Sequence, residues 1–234
     1  MKNVFVLPGM DGTGELLAPY ADELAARGFA PRVLAYPHDL AQSYAELLDD
    51  VVTPALPAGD EPYAVVAESF SGPIALALAQ RRPPGLGALV LVVTFATAPR
   101  SMLLALTGVL PVDWILSQPI PCWLAHSVMM GRHPPAGDPS ALCRVMKQVR
   151  PDVLSDRLRE VRELRLADDP VDLPGLYIRA SEDGRLPPGA VHDVARIVPD
   201  LTVRDVAGPH LVLDTHPAPC AELTAAFLAG LSRR

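Results

Sequence analysis

Ala64-Val65-Val66-Ala67-Glu68-Ser69-Phe70-Ser71-Gly72-Pro73-Ile74-Ala75-Leu76-Ala77-Leu78 is the stretch on which the reading of this chain turns. The apolar run from Tyr63 to Val66 reads as a buried strand. Ser71-Gly72-Pro73 then opens an Ala/Leu-rich helix that runs to about Arg81. Between them sits one serine with a small residue two positions away on either side, Ala67 and Ser71. Small-x-Ser-x-small between a strand and a helix is the pattern of a nucleophile elbow. So tight a turn strains the serine backbone, and flanking side chains larger than a methyl or hydroxymethyl would collide with the strand and helix. In return, Oγ is held clear of the sheet at a helix N-terminus, where the dipole favours developing negative charge. The plainer reading, a serine-rich helix cap, fits Ser69-Phe70-Ser71 taken alone. Three further features favour the nucleophile.

The first is at the N-terminus. Val4-Phe5-Val6-Leu7 reads as a second buried strand, followed by Pro8-Gly9-Met10-Asp11-Gly12-Thr13-Gly14 and a helix from near Glu15. Glycines let such a loop turn backbone N–H groups toward a bound oxygen. An oxyanion hole in this geometry takes one N–H from the residue after the nucleophile and one from this loop, which gives Phe70 and Met10. Asp11, in the same loop, fits a turn-stabilising role better than a catalytic one. The rival is a dinucleotide loop. That motif wants Gly-x-Gly-x-x-Gly, whereas the spacing here is Gly-x-x-Gly-x-Gly, with Asp39 in loose range of the acidic partner such a site needs.

The other two features are C-terminal. Leu176-Tyr177-Ile178-Arg179-Ala180 is a strand candidate followed by Ser181-Glu182-Asp183-Gly184. Leu201 to Val206 is another, followed by Ala207-Gly208-Pro209-His210. Asp183 and His210 are common residue types taken singly. In the order serine, acid, histidine, each just past a strand end, they match a hydrolase built on a parallel sheet. Glu182 is the reserve acid. His216, where the last helix begins, reads as a surface or capping residue.

On these motifs the chain resembles the α/β-hydrolase superfamily. The resemblance rests on Leu7 to Gly14, Ala67-Glu68-Ser69-Phe70-Ser71-Gly72, Ser181-Glu182-Asp183 and Gly208-Pro209-His210, and so spans nearly the whole chain. It is similar to bacterial single-domain serine hydrolases of esterase and thioesterase type, with some likeness to acyltransferases carrying a Glu-Ser-Phe elbow. The resemblance implies a serine nucleophile, a histidine base, an acid, and a small-molecule ester or thioester substrate, free or carrier-bound. Two positions depart from the common pattern: Pro8-Gly9 stands where His-Gly is frequent, and Ala67 replaces the elbow's first glycine.

Composition fits this reading. At 234 residues the chain can bury one full core. No apolar run approaches the roughly 20 residues of a membrane span, and the N-terminus lacks the layout of a signal peptide. A net charge of −7, with no basic and aromatic stripe, disfavours nucleic acid. Cys122, Cys143 and Cys220 are scattered and in no metal-like spacing, which predicts core thiols in a reducing cytoplasm. No cofactor or metal is expected. The histidines show no metal-binding spacing.

Strands are predicted near residues 3–7, 32–36, 63–68, 88–95, 175–180 and 201–206. Helices are predicted near 15–27, 41–54, 71–81, 189–197 and 217–231. All strands but the second read as continuous apolar runs, as in a parallel sheet covered on both faces. The expected fold is a single α/β domain over residues 1–234, a doubly wound, mostly parallel sheet of about six strands. The alternation breaks over about 96–173, where helical stretches carry Met102, Leu103, Leu106, Trp114, Trp123, Met129 and Met130. The resemblance makes this insertion a cap over the active site, with Trp114, Trp123 and Met129 as candidate lining for an apolar acyl chain. The insertion is expected to set substrate choice and to contribute nothing to the chemical step. Two other classes stay open beside a hydrolase. One is an acyltransferase using the same three residues; the other is a non-catalytic binding protein of the same fold, disfavoured by the intact Ser69, Asp183 and His210.

Overall fold

In the computed structural model, residues 1–99, 114, 118, 122–136, 138 and 140–231 are described. Six strands form one sheet: β1 (Asn3–Leu7), β2 (Ala30–Val33), β3 (Tyr63–Glu68), β4 (Leu86–Val92), β5 (Gly175–Ala180) and β6 (Leu201–Val206). Their order is β2-β1-β3-β4-β5-β6, and every neighbouring pair is parallel. This is the predicted doubly wound sheet, with no antiparallel strand among those described.

The strand sequences explain the layering. In β1, Val4 and Val6 pack into one core and Phe5 and Leu7 into the other; β3 divides likewise, with Ala64 and Val66 against Val65 and Ala67. Period-two alternation with apolar residues at every position requires cover on both faces. The first face is covered by the helices Ala18–Ala26 and Pro217–Leu231, the second by Gly72–Gln80, Ala190–Ile197 and the helical segment from Tyr44 to Ala55. The edge strands differ. β6 is largely open, with Arg204 and Asp205 exposed, so the prediction of a fully covered strand fails there. β2 starts earlier than predicted and carries Pro31, which an edge strand tolerates because one side of its ladder is unpaired.

Between β4 and β5 the described residues include the helices Cys122–Met130, Ala141–Gln148 and Pro151–Glu163. The predicted helical stretch that carries Met102, Leu103 and Leu106 lies outside the described residues. A small separate core of Met130, Ala141, Leu142 and Val145 docks this segment against Leu16 and Leu211, beside the loops that end β1 and β6. Cys220 is a buried free thiol, as expected, but Cys143 is disulfide-bonded. Disulfides persist mainly in oxidising compartments, so the cysteines no longer argue for a reducing one. Among the described residues no helix is long and apolar enough to cross a membrane.

Candidate active site

The C-terminal ends of β3, β5 and β6 bring together three of the residues predicted from sequence. Ser69 Oγ lies 2.8 Å from His210 Nε2, and His210 Nδ1 lies 2.8 Å from Asp183 Oδ2. With Nδ1–H donating to the carboxylate, Nε2 is left to accept from the serine hydroxyl. Asp183 Oδ1 accepts the backbone N–H of Arg185 at 2.8 Å, so both carboxylate oxygens are engaged. Burial alone would raise the Asp183 carboxyl, but the bond from His210 and the charges of His210 and Arg185 hold it below the ordinary range.

Ser69 occupies a strained turn. Its φ is 47°, in the left-handed region that non-glycine residues avoid. Such strain costs about 1–3 kcal/mol and survives only where the surroundings over-determine it. Thr94, just past β4, supplies one brace: its hydroxyl donates to the Ser69 carbonyl at 2.5 Å. Thr94 is itself fixed by Tyr177, whose hydroxyl donates to its carbonyl at 2.6 Å and accepts its N–H at 3.1 Å. The helix after the turn can start this close to Thr94 only because residue 72 is glycine; a Cβ there would overlap the threonine hydroxyl.

Ser71 holds a second brace. Its hydroxyl donates to the Pro8 carbonyl and accepts from Tyr36 at 2.6 Å, with all of it buried. Ser71 thus ties the elbow to the β1 loop, a role that its small size alone did not announce. In that loop a turn closes from Gly12 N–H to Gly9 O at 3.1 Å. Asp11 Oδ2 accepts the Thr13 N–H at 2.8 Å and its hydroxyl at 2.6 Å, which is a turn-stabilising use of the side chain.

The loop is held from outside by a residue the sequence reading missed. Arg157, on the Pro151–Glu163 helix, is 2 % exposed. Its Nη1 donates to Met10 O and Asp11 O, both at 2.8 Å, and its Nη2 donates to Pro37 O at 2.8 Å. Gly12 makes room for it: a Cβ there would lie 2.6 Å from Nη1, and φ is +71°. The inserted segment therefore braces the loop that carries Met10.

Glu68, which precedes the serine, was not singled out from the sequence. It is 3 % exposed, and burial, reinforced by the carboxylates of Asp11 and Asp214, pushes its carboxyl up to about 8. Burial pushes Asp214 up to about 6, and its Oδ2 has no hydrogen-bond partner among the described residues. These acids do not gather as a metal-ligand group among the described residues.

The remaining candidates separate. Glu182, the reserve acid, pairs at 2.8 Å with His133, not with His210. His216 bonds Thr215 Oγ1 at 2.9 Å, and its ring meets that of His133 at 5.1 Å, apart from the serine. Of the three candidate pocket residues, Met129 lines a cleft beside His210, while Trp114 is 64 % exposed and does not line it. The Trp123 side chain lies outside the described residues.

The parallel sheet order, the elbow after β3 and the loops after β5 and β6 together are the α/β-hydrolase fold. The solved structures similar to this chain carry it as well. An enol-lactonase from Burkholderia xenovorans LB400 aligns over 97% of this chain and 91% of its own, at 12% identity and a TM-score of 0.75. A thermophilic esterase from Thermogutta terrifontis aligns over 99% and 90%, at 17% identity and a TM-score of 0.75. ClbQ from the colibactin NRPS/PKS pathway aligns over 98% of this chain and 98% of its own, at 13% identity and a TM-score of 0.69. No family model matches the chain, and no curated protein does.

Proposed function

We propose that this protein is a serine hydrolase that cleaves a carboxylic ester or thioester through an acyl-enzyme on Ser69. The observation that carries the reading is the continuous chain of hydrogen bonds from Ser69 Oγ through His210 to Asp183, mounted on a left-handed serine at a strand-helix turn. Similar structures named as an enol-lactonase and esterases support ester chemistry on this fold.

In this reading Ser69 Oγ attacks the carbonyl carbon while His210 Nε2 takes its proton. Asp183 holds the ring in the tautomer that leaves Nε2 free and stabilises the imidazolium that forms. The backbone N–H groups of Met10 and Phe70 bind the oxyanion. His210 returns the proton to the departing alcohol or thiol, and water, activated in turn by His210, releases the acid. The helical insertion over about 96–173 acts as the cap and bounds the acyl pocket.

Labelling with a fluorophosphonate probe, followed by a panel of acyl esters and thioesters of graded length, tests this. Ser69→Ala should abolish labelling and turnover. Labelling that survives in that variant and maps to another serine would refute the assignment. Transfer of the acyl group to an added alcohol in preference to water would move the reading to an acyltransferase.

A further inference from the structure

Beside His210 lies a cleft of about 470 Å³ whose wall includes Met129, Arg132, His133, Glu182, Asp183 and Arg185, as well as His210 itself. Arg132 is exposed and Arg185 half-buried. Neither side chain makes a hydrogen bond, ion pair or ring contact among the described residues; Arg185 gives only its backbone N–H, to Asp183. Every other described arginine is engaged, by a carboxylate, a backbone carbonyl or a ring. The two described arginines whose side chains make no hydrogen bond or ion pair therefore line the same cleft, Arg185 near enough to Asp183 to feel its charge, in a chain of net charge −7.

The acidic residues of the cleft accept no hydrogen bond from either guanidinium, although Asp183 lies close enough to Arg185 for their charges to interact. Glu182 is bonded to His133 at 2.8 Å and Asp183 to His210 at 2.8 Å. A guanidinium presents a planar fork of donors suited to a carboxylate or a phosphate. Position then says which half of the substrate carries that group. His210 must hand its proton to the departing oxygen or sulfur, so the departing half sits beside His210, whose side chain forms part of the wall of this cleft.

We propose that the cleft receives the leaving half of the substrate, and that Arg132 and Arg185 hold an oxyanion on it. The substrate class is then an acyl ester or thioester whose alcohol or thiol bears a carboxylate or phosphate. This inference rests on the serine-hydrolase reading above and adds the charge of the leaving group to it.

Three acetyl esters test it: those of 3-hydroxybenzamide (neutral), 3-hydroxybenzoate, and 3-hydroxyphenyl phosphate. A hydrogen-bonded charge pair contributes enough to favour an anionic ester over the neutral one by about tenfold or more in kcat/KM. That preference should shrink in high salt and fall toward one in the Arg132→Gln/Arg185→Gln double variant, but persist in Arg204→Gln, on the β6 edge. The order of the two anionic esters identifies carboxylate or phosphate as the better fit. A wild-type ratio near one, or a ratio untouched by the double variant, overturns the proposal. Turnover of the neutral ester with Ser69 labelling but no anion preference would sink this subsite alone and leave the hydrolase reading standing. If no ester is turned over, calorimetric binding of 3-hydroxybenzoate decides. Binding to wild type that is lost in the double variant supports the subsite, and no binding to wild type overturns it.

Discussion

Arg157→Met removes the brace on the Met10 loop without touching Ser69, His210 or Asp183. The guanidinium makes three hydrogen bonds of 2.8 Å to backbone carbonyls from a site only 2 % exposed. Bonds from a charged donor are each worth about 1.5–3 kcal/mol, but Met10, Asp11 and Pro37 are half-buried, so water can replace part of what is lost. A net destabilisation of about 3 kcal/mol follows, at the lower end of the range for breaking a buried charged network. The effect on rate has a separate origin. If the loop relaxes and one oxyanion donor is misplaced, kcat falls by about 10²–10³. A short acetyl ester separates the two effects, assayed well below the melting temperature so that both variants stay folded. The expected result is a lowered kcat with a KM close to wild type. Arg157→Lys should lie between, because a single ammonium cannot reach Met10, Asp11 and Pro37 with the geometry of the fork. Gly12→Ala should reproduce the loss from the other side, since its methyl would occupy the space of Nη1. A kcat for Arg157→Met within twofold of wild type would refute the reasoning. So would a change confined to KM for long acyl chains, which would return the insertion to a role in substrate choice alone.

The other outcomes expected are these. Asp183→Asn should lower turnover by about 10⁴, as an amide stabilises the wrong imidazole tautomer, and a full-rate Asp183→Asn enzyme would remove Asp183 from the mechanism. Glu68 has its folded-state carboxyl raised to about 8, so it holds a proton at neutral pH; the stabilisation this gives is complete below the ordinary value of 4.5 and is lost as pH rises through 8. Glu68→Gln keeps the neutral form at every pH, so its melting temperature relative to wild type should climb between pH 5 and about 8.5 by scanning calorimetry, and a constant difference would contradict a buried, proton-holding Glu68. Gly72→Ala should cost about 1–3 kcal/mol through overpacking against Thr94, with weakened probe labelling because Thr94 holds the Ser69 carbonyl; unchanged melting and labelling would show that the turn is looser than it looks.

What could be read from the sequence was what the chain encodes locally. β3, the elbow and the following helix lie within eighteen consecutive residues, Tyr63 to Gln80, where the change from strand to helix is written in apolar runs and in Ser71-Gly72-Pro73. Asp183 and His210 were found by the same means, each just after a strand. Arg157 was not, because its acceptors lie 147, 146 and 120 residues away. On its helix it alternates with Arg159 and Arg162, which face carboxylates near the surface, and nothing in the local pattern sets it apart. Its one trace in the sequence is Gly12, whose freedom was read as serving the oxyanion loop when it also clears space for a distant guanidinium. The disulfide at Cys143 and the open face of β6 escaped for a related reason, since pairing and edge position are properties of the assembled sheet and segment.

The strained serine is held by two ties, and a third fixes the neighbouring Met10 loop. Thr94 clamps the carbonyl of Ser69 from β4, and Tyr177 locks Thr94 from β5. Ser71 joins the elbow to Pro8, with Tyr36 behind it. Arg157 joins the Met10 loop to the inserted helix and to Pro37. The first two ties come from the sheet and its loops, whereas the third comes from the insertion. A φ of 47° at a serine is stable only against such redundancy. The ties are also unequal. Cutting Thr94 or Ser71 acts on the turn that carries Ser69, whereas cutting Arg157 acts on the Met10 loop and leaves the Ser69–His210 bond in place. If Ser69 is the nucleophile and Met10 an oxyanion donor, covalent labelling of Ser69 and turnover should therefore come apart in Arg157 variants and fall together in Thr94 variants.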